Sequence, residues 1–173
     1  MSPIRLAKIE DAPAIARVHV DTWRTTYSGL IAEEHLARLS YERGQTQWVE
    51  NLTDQKEKRT FVAESQPGQI VGFAACGPIR EKIEDLDGEL YAIYVLKAFQ
   101  GMGLGRLLVR QVAGYLAGAG FHSIIIWVLK ENPARGFYER LGGRVIAEKE
   151  IVIGGQSLKE VAYAWYDLGI IME

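Results

Sequence analysis

The sequence has one cysteine, few histidines and no excess of positive charge, and each shortage excludes a class of protein. A single cysteine, Cys76, cannot form an intramolecular disulfide, which suits a reducing compartment. A net charge of −2 and a pI near 6.0 disfavour a protein that neutralises many nucleic-acid phosphates. The sequence contains no apolar run long enough to span a bilayer and no cationic leader at Met1. We therefore expect a cytoplasmic protein that binds neither nucleic acid nor a membrane.

The remaining composition is that of an ordinary globular protein, with 48% hydrophobic and 24% charged residues. A chain of 173 residues suits one core, so we expect a single domain over residues 1–173. The histidines are scattered without a pair at ligand spacing, and no Cys/His cluster occurs. We therefore expect no bound metal.

The hydrophobic pattern changes repeatedly between the strand period and the helix period. A strand, a helix and a second apolar strand follow one another in the middle of the chain, and this order predicts a parallel pair. The sequence thus predicts an α/β fold. The predicted strands are residues 4–8, 61–64, 69–77, 88–95, 123–129, 144–153 and 158–168, and the predicted helices are residues 11–27, 31–39, 41–52, 103–118 and 134–141.

Residues 88–106 have the pattern of a strand, a glycine-rich turn and a helix start, and the rest of the chain is organised around them. Gly101, Gly103 and Gly105 alternate just before the helical pattern begins. Glycine has no Cβ, so a phosphate can approach the backbone N–H groups, and the helix dipole favours the anion. The turn lacks the lysine and hydroxyl of a P-loop, and no frame completes a G-x-G-x-x-G dinucleotide motif. A phosphate-bearing ligand of another kind is predicted.

The spacing Gln-x-x-Gly-x-Gly, met by Gln100, Gly103 and Gly105 after a strand, resembles the motif of the GNAT superfamily of acyl-CoA-dependent N-acyltransferases. The segment Asn-Pro-Ala-Arg-Gly-Phe-Tyr-Glu from Asn132 and the order of elements extend the resemblance over nearly the whole chain. It implies a mixed, largely antiparallel sheet with a central parallel strand pair splayed around the cofactor, and helices on both faces. It also implies acetyl transfer from acetyl-CoA to a primary amine by direct attack on the thioester. A coenzyme A-binding regulatory module without turnover is the alternative.

The resemblance assigns cofactor contacts to the strand, the turn and the segment after the next strand. Backbone groups of Ile93, Tyr94 and Val95 would pair with the pantetheine arm as an added strand. Asn132 would bond the pantetheine, although Glu131 stands where the family most often has this asparagine. Amides of the turn would hold the pyrophosphate. The turn residues assigned to acetyl-CoA are Gln100, Gly101, Met102, Gly103, Leu104, Gly105 and Arg106.

Two side chains are candidates for proton transfer. An ammonium with a pKa near ~10.4 must lose a proton before or during attack. Glu89 opens the strand where some family members carry a glutamate base, with acids of the preceding loop as alternatives. Tyr138 lies where the superfamily's general-acid tyrosine occurs, and it would protonate the departing thiolate while Phe137 faces the core.

The acceptor is expected to be a small-molecule or peptide amine. The resemblance places its site between the first helices and the C-terminal hairpin, with Trp23, Tyr27 and Glu33 on one side. Tyr163 and Trp165 would stand opposite. Aromatic faces and carboxylates suit a cationic amine, while helical spacing also places Trp23 and Tyr27 on a buried face. A homodimer through the C-terminal strands is a further expectation.

Overall fold

The computed structural model describes residues 3–173, whose backbone forms a seven-stranded sheet with the order β1-β2-β3-β4-β5-β7-β6. Neighbouring strands are antiparallel except β4 and β5, which are parallel. The strands are β1 (Ile4–Leu6), β2 (Arg59–Gln66), β3 (Gln69–Pro78), β4 (Gly88–Val95), β5 (Ile124–Leu129), β6 (Arg144–Ile153) and β7 (Gln156–Trp165). The helices are α1 (Ala12–Thr26), α2 (Glu33–Ala37), α3 (Tyr41–Thr53), α4 (Leu104–Gly118), α5 (Arg135–Arg140) and α6 (Gly169–Met172), with short 3-10 turns at Ile9–Asp11 and Lys97–Phe99.

The predicted fold class is confirmed, including the central parallel pair, while some boundaries were wrong. The pattern at residues 31–39 gives only the short helix α2. The last strand ends at Trp165, and the apolar Leu168 is buried beside α6 instead of continuing the strand. Asp167 Oδ1 accepts a hydrogen bond of 2.8 Å from Gly169 N and starts that helix. No helix within residues 3–173 is long and apolar enough to cross a membrane.

Helices cover the two faces of the sheet, and the apolar pattern of each element decides which face it covers. On one face, α4 packs the fully buried Leu108 and Leu116 against the middle strands. On the other face, α1 and α3 pack Ile15 and Trp48 against Phe73 of β3. We call these the α4 face and the α1 face. Burying each such side chain contributes about 1.5–3 kcal/mol, so these contacts hold the helices against the sheet.

The parallel strands β4 and β5 are held together at one end by Asp87. Its Oδ1 accepts hydrogen bonds from Ser123 N at 2.9 Å and Ser123 Oγ at 2.7 Å, and its Oδ2 accepts one from His122 N at 2.9 Å. The adjoining Gly88 permits this close approach, because a Cβ there would lie 2.6 Å from Ser123 O. The start of β4 is thereby fixed to the start of β5.

A β-bulge in β4 changes the direction of the strand beyond this joint. Ala92 is opposite Ala75 of β3, and Leu90 is opposite Cys76, so Tyr91 is an extra residue in β4. Tyr91 and Ala92 consequently both pack on the α1 face. Tyr91 also donates a hydrogen bond of 2.5 Å to Pro78 O. Because bulges bend and twist the bulged strand, this one favours separation of β4 from β5.

Candidate active site

A cleft of about 640 Å³ opens where β4 and β5 separate. The two strands pair only at Gly88 with Ile124 and at Glu89 with Ile125, and then both continue without pairing to each other. The other edges of β4 and β5 remain paired with β3 and β7. Residues from Tyr91 to Val95 and from Ile126 to Leu129 line the two sides. The free backbone edge of β4 can therefore receive an extended chain in place of a strand.

One end of the cleft is the glycine turn before α4. Gly101 and Gly103 have φ angles of +75° and +84°, in the left-handed region that favours glycine. The helix then begins at Leu104, and its first backbone bond runs from Leu107 N to Gly103 O at 3.1 Å. The amides of the first turn thus lack helical partners, and no side chain among residues 3–173 caps them. They are suited to an anion.

The predicted turn residues divide between backbone and side-chain contacts with the cleft. Gly101, Gly103, Gly105 and Arg106 line it, as does Gln100, whose Nε2 donates to Val95 O at 2.9 Å and fixes the turn. The side chains of two predicted residues lie elsewhere: Met102 is 68% exposed to solvent, and Leu104 packs on the core of the α4 face. Any contact of these two with a ligand would come from their backbone.

Tyr138 of α5 faces the cleft and is only 4% exposed. Burial raises the pKa of its phenol, with a smaller contribution from Tyr94, so the hydroxyl stays protonated at neutral pH and can donate a proton. The expected contrast between a core-facing Phe137 and Tyr138 was wrong, because both side chains pack on the core of the α4 face. Phe137 is the less buried of the two and lies beside Gly105 at the cleft.

Hydrogen bonds connect α1, β4 and the segment before α5 around the cleft. Trp23 Nε1 donates to Tyr94 Oη at 3.0 Å, and the hydroxyls of Tyr94 and Tyr27 also interact. Asn132 Nδ2 donates to Tyr27 Oη at 3.3 Å, while its Oδ1 accepts from Ala134 N at 2.8 Å. Burial raises the pKa values of Tyr27 and Tyr94. Four predicted residues, Trp23, Tyr27, Tyr94 and Asn132, therefore line one site.

The predicted carboxylates do not line the cleft. Glu89 is 2% exposed, and Arg80 donates to it from N at 2.9 Å, from Nη2 at 2.6 Å and from Nε at 3.2 Å. Glu33 lies on α2, where its Oε1 accepts a hydrogen bond from Ser28 Oγ. Tyr163 and Trp165 are core residues of the α4 face and do not form the acceptor wall expected of them.

Several lining residues were missed because they come from elements distant in sequence. Alternation along β6 could indicate that Ile151 and Ile153 share a face, but not that this face meets the cleft. Within residues 3–173, no group of three or more His, Cys, Asp or Glu is arranged to hold a metal ion. The missed lining residues include Thr22, Phe99, Pro133, Arg140, Ile151, Ile153 and Glu160.

Comparison with known proteins agrees with this geometry. The family model described as the acetyltransferase (GNAT) family matches residues 18–143. The uncharacterized N-acetyltransferase YuaI of Bacillus subtilis is 42% identical over 171 residues, which cover 99% of this chain and 96% of that protein. The chain belongs to the GNAT family of acetyltransferases. It is accordingly an N-acetyltransferase.

Solved structures share the fold. The ribosomal-protein-alanine N-acetyltransferase from Brucella melitensis has a TM-score of 0.72 and 26% identity, covering 94% of this chain and 98% of that chain. The PaiA N-acetyltransferase from Thermoplasma acidophilum, solved in complex with coenzyme A, has a TM-score of 0.68 and 20% identity, covering 91% of this chain and 96% of that chain. The latter likeness concerns the fold.

Proposed function

We propose that this protein transfers the acetyl group of acetyl-CoA to a primary amine by direct attack on the thioester. The observation that carries the proposal is the cleft between β4 and β5, with open helix amides at one end and a buried phenol facing it. The complex of the structurally similar PaiA enzyme with coenzyme A supports this choice of acyl donor.

The residues of the cleft suit both parts of coenzyme A. Ile93, Tyr94 and Val95 offer a strand edge that is unpaired on the β5 side, and the amide-rich pantetheine arm would pair with it. The pyrophosphate would lie on the amides from Gly101 to Arg106, including those of Met102 and Leu104. Asn132 already holds Tyr27 and the start of α5, so its role would be to shape the pantetheine path.

Tyr138 is proposed as the general acid. The amine nitrogen forms a bond to the acetyl carbon, the C–S bond breaks, and the sulfur takes up a proton. Burial keeps the phenol protonated at neutral pH, so the proton that the thiolate needs is present on Tyr138. Glu89 as the general base stays a prediction. Its carboxylate would have to act through an ordered water, because Arg80 covers it and a guanidinium does not give up its proton.

The acceptor is proposed to be a small-molecule or peptide amine that enters from the α1 face, where Trp23 and Tyr27 line the cleft. The cytoplasmic location, the single domain and the homodimer remain predictions from the sequence.

Two measurements test the proposal. Calorimetry should show binding of acetyl-CoA and of coenzyme A to the purified chain. Thiol release should then be followed with acetyl-CoA and a panel of polyamines, amino-acid amides, peptides and aminoglycosides. Turnover of one class is the expected result. Absence of acetyl-CoA binding would contradict the proposal, and binding without turnover of any panel member would favour the regulatory alternative.

A further inference from the structure

On the α1 face, one carboxylate lies among the mostly aromatic and aliphatic side chains that line the cleft. Among residues 3–173, the acidic side chain that lines the cleft is that of Glu160 on β7. Glu160 lies opposite Leu129 of β5 and Lys149 of β6, so it shares a face with Trp127, two residues before Leu129. The apolar and aromatic side chains lining this part of the cleft are Trp23, Tyr27, Tyr91, Trp127, Ile151 and Ile153.

Glu160 is more available to a ligand than Glu89. Its side chain is 15% exposed, and its contact with Lys149 Nζ is long, at 3.7 Å. That ammonium lies closer to Glu81, at 2.6 Å, and sits 4.1 Å from the ring centroid of Trp127. Glu89 instead accepts three hydrogen bonds from Arg80, of 2.6, 2.9 and 3.2 Å. An incoming ammonium can therefore approach Glu160 without displacing a tight ion pair.

The environment of Glu160 suits proton transfer. Burial raises the pKa of its carboxyl, and this outweighs the opposite influence of Lys149 and Arg80. The raised pKa brings the group closer to neutral pH, where a base can both take and release a proton.

The charges around Glu160 fit one positive charge on the acceptor. Two cations, Lys149 and Arg80, face three carboxylates, Glu81, Glu89 and Glu160. Arg80 is paired with Glu89 and Lys149 with Glu81, so one negative charge is left over. A single ammonium would neutralise it. A second ammonium held close to the first would be repelled by Lys149 and Arg80, which both act on Glu160.

We infer that Glu160 receives the acceptor's ammonium and removes its proton, and that the acceptor is a monocationic amine with an apolar or aromatic body. This inference rests on the proposed acetyl transfer. The ammonium gives one proton to Glu160, and the neutral nitrogen then attacks the acetyl carbon. The nitrogen loses a second proton as the amide forms, while Tyr138 protonates the thiolate and is reprotonated by that second proton. Glu160 returns its proton to water, so the overall reaction releases one proton.

The test compares carboxylate variants with two amines, 2-phenylethylamine and spermidine. In the Glu160→Gln variant, kcat/KM for 2-phenylethylamine should fall about 100-fold, as expected for loss of a general base, and the low-pH limb of the rate profile should disappear. Glu160→Asp should restore part of the rate. The matched control is Glu150→Gln on the neighbouring strand β6, whose side chain is exposed. Acetyl-CoA affinity, measured by calorimetry, should be unchanged in all three variants.

The outcomes separate this inference from the proposed function. Failure of the wild-type chain to bind acetyl-CoA would defeat the proposed function itself. If the wild type binds acetyl-CoA and acetylates an amine, and Glu160→Gln keeps both the wild-type rate and its decrease at low pH, the role of Glu160 is overturned and acetyl transfer stands.

The substrate class is tested with the wild-type chain. We expect kcat/KM to be at least about 10-fold higher for 2-phenylethylamine than for spermidine, which corresponds to repulsion of about 1.4 kcal/mol. A preference for spermidine would overturn the assignment of a monocationic acceptor.

Discussion

The two ends of the cleft are built in different ways. The end at α4 consists of backbone amides within one continuous segment, from Gln100 to Arg106. The end on the α1 face consists of side chains from α1, β5, β6 and β7, such as Trp23 and Glu160, that are far apart in sequence. A site made from local backbone depends on glycine, whereas a site assembled from distant side chains depends on the register of several strands. The two ends should therefore respond differently to single substitutions.

The largest effect is expected at the α4 end. Gly103→Val should weaken acetyl-CoA binding about 1,000-fold, because a branched side chain at φ +84° would displace the amides that hold the pyrophosphate. Loss of two charge-assisted hydrogen bonds, each contributing about 1.5–3 kcal/mol, gives that magnitude. Calorimetry measures the affinity.

Gly68→Val is the matched control. Gly68 has a φ of +82°, and a Cβ at this position would meet no atom within 4 Å, as at Gly103, but Gly68 lies in the turn between β2 and β3. Both variants should lose comparable stability, on the order of 1–2 kcal/mol. Equal loss of cofactor affinity in both would show that strain alone, and not the phosphate site, is responsible.

Tyr138 faces the cleft from α5 and is proposed to act on the thiolate, so its loss should affect chemistry more than binding. Tyr138→Phe should lower kcat roughly 100-fold, the ordinary contribution of a general acid, and leave acetyl-CoA affinity nearly unchanged. Tyr115→Phe on α4 is the control, because Tyr115 lies outside the cleft. An unchanged kcat in Tyr138→Phe would remove this phenol from the mechanism.

His19, which packs on Tyr94 of the cleft wall, should make stability depend on pH. Its ring stacks on Tyr94 with centroids 5.3 Å apart, and burial lowers its pKa to about 4. Below pH ~6.5 the unfolded chain binds a proton at His19 that the folded chain does not bind. The free energy of unfolding therefore decreases as the pH is lowered from ~6.5 towards the folded pKa of about 4. Between pH 7.5 and pH 5.0 the loss should be on the order of 2 kcal/mol.

Urea unfolding of the ligand-free chain at pH 7.5 and pH 5.0 measures this effect. The His19→Gln variant should show a smaller drop in the free energy of unfolding between these pH values. Identical drops in both proteins would show that His19 is not held neutral by burial.

The smallest effect is expected at an exposed cation beside the α4 end. Arg140 lines the cleft near that end, where it could meet a phosphate of coenzyme A. Exposed ion pairs contribute about 1 kcal/mol or less, so Arg140→Gln should weaken acetyl-CoA binding at most about 5-fold. Arg17→Gln is the control, because Arg17 is exposed on α1, and it should leave acetyl-CoA affinity unchanged. If Arg140→Gln loses less affinity for dephospho-CoA than for coenzyme A, the contact lies at the 3′-phosphate.

Sequence reasoning succeeded where one segment carries the whole signal. The alternation of Gly101, Gly103 and Gly105 after a strand predicted the turn and helix start that the structure shows. The β-α-β order predicted the parallel pair. The bulge at Tyr91 was not predictable, because it exists only as a mismatch between β3 and β4.

The carboxylates show the opposite case. Glu89 precedes the motif in sequence, and this nearness made it the predicted base, yet Arg80 covers it in the fold. Glu160 belongs to a hairpin strand whose alternating pattern does not tell which face meets the cleft. Tyr163 and Trp165, on the same strand, lie in the core of the other layer.

The sequence by itself determined the fold class, the parallel pair and the glycine turn, because these follow from hydrophobic period and from the conformations open to glycine. Only the tertiary structure decided how far β4 and β5 separate, which side chains line the opening and which carboxylate is among them. Those features depend on strand register, on the joint at Asp87 and on pairing between charges such as Arg80 and Glu89, all of which join residues distant in sequence.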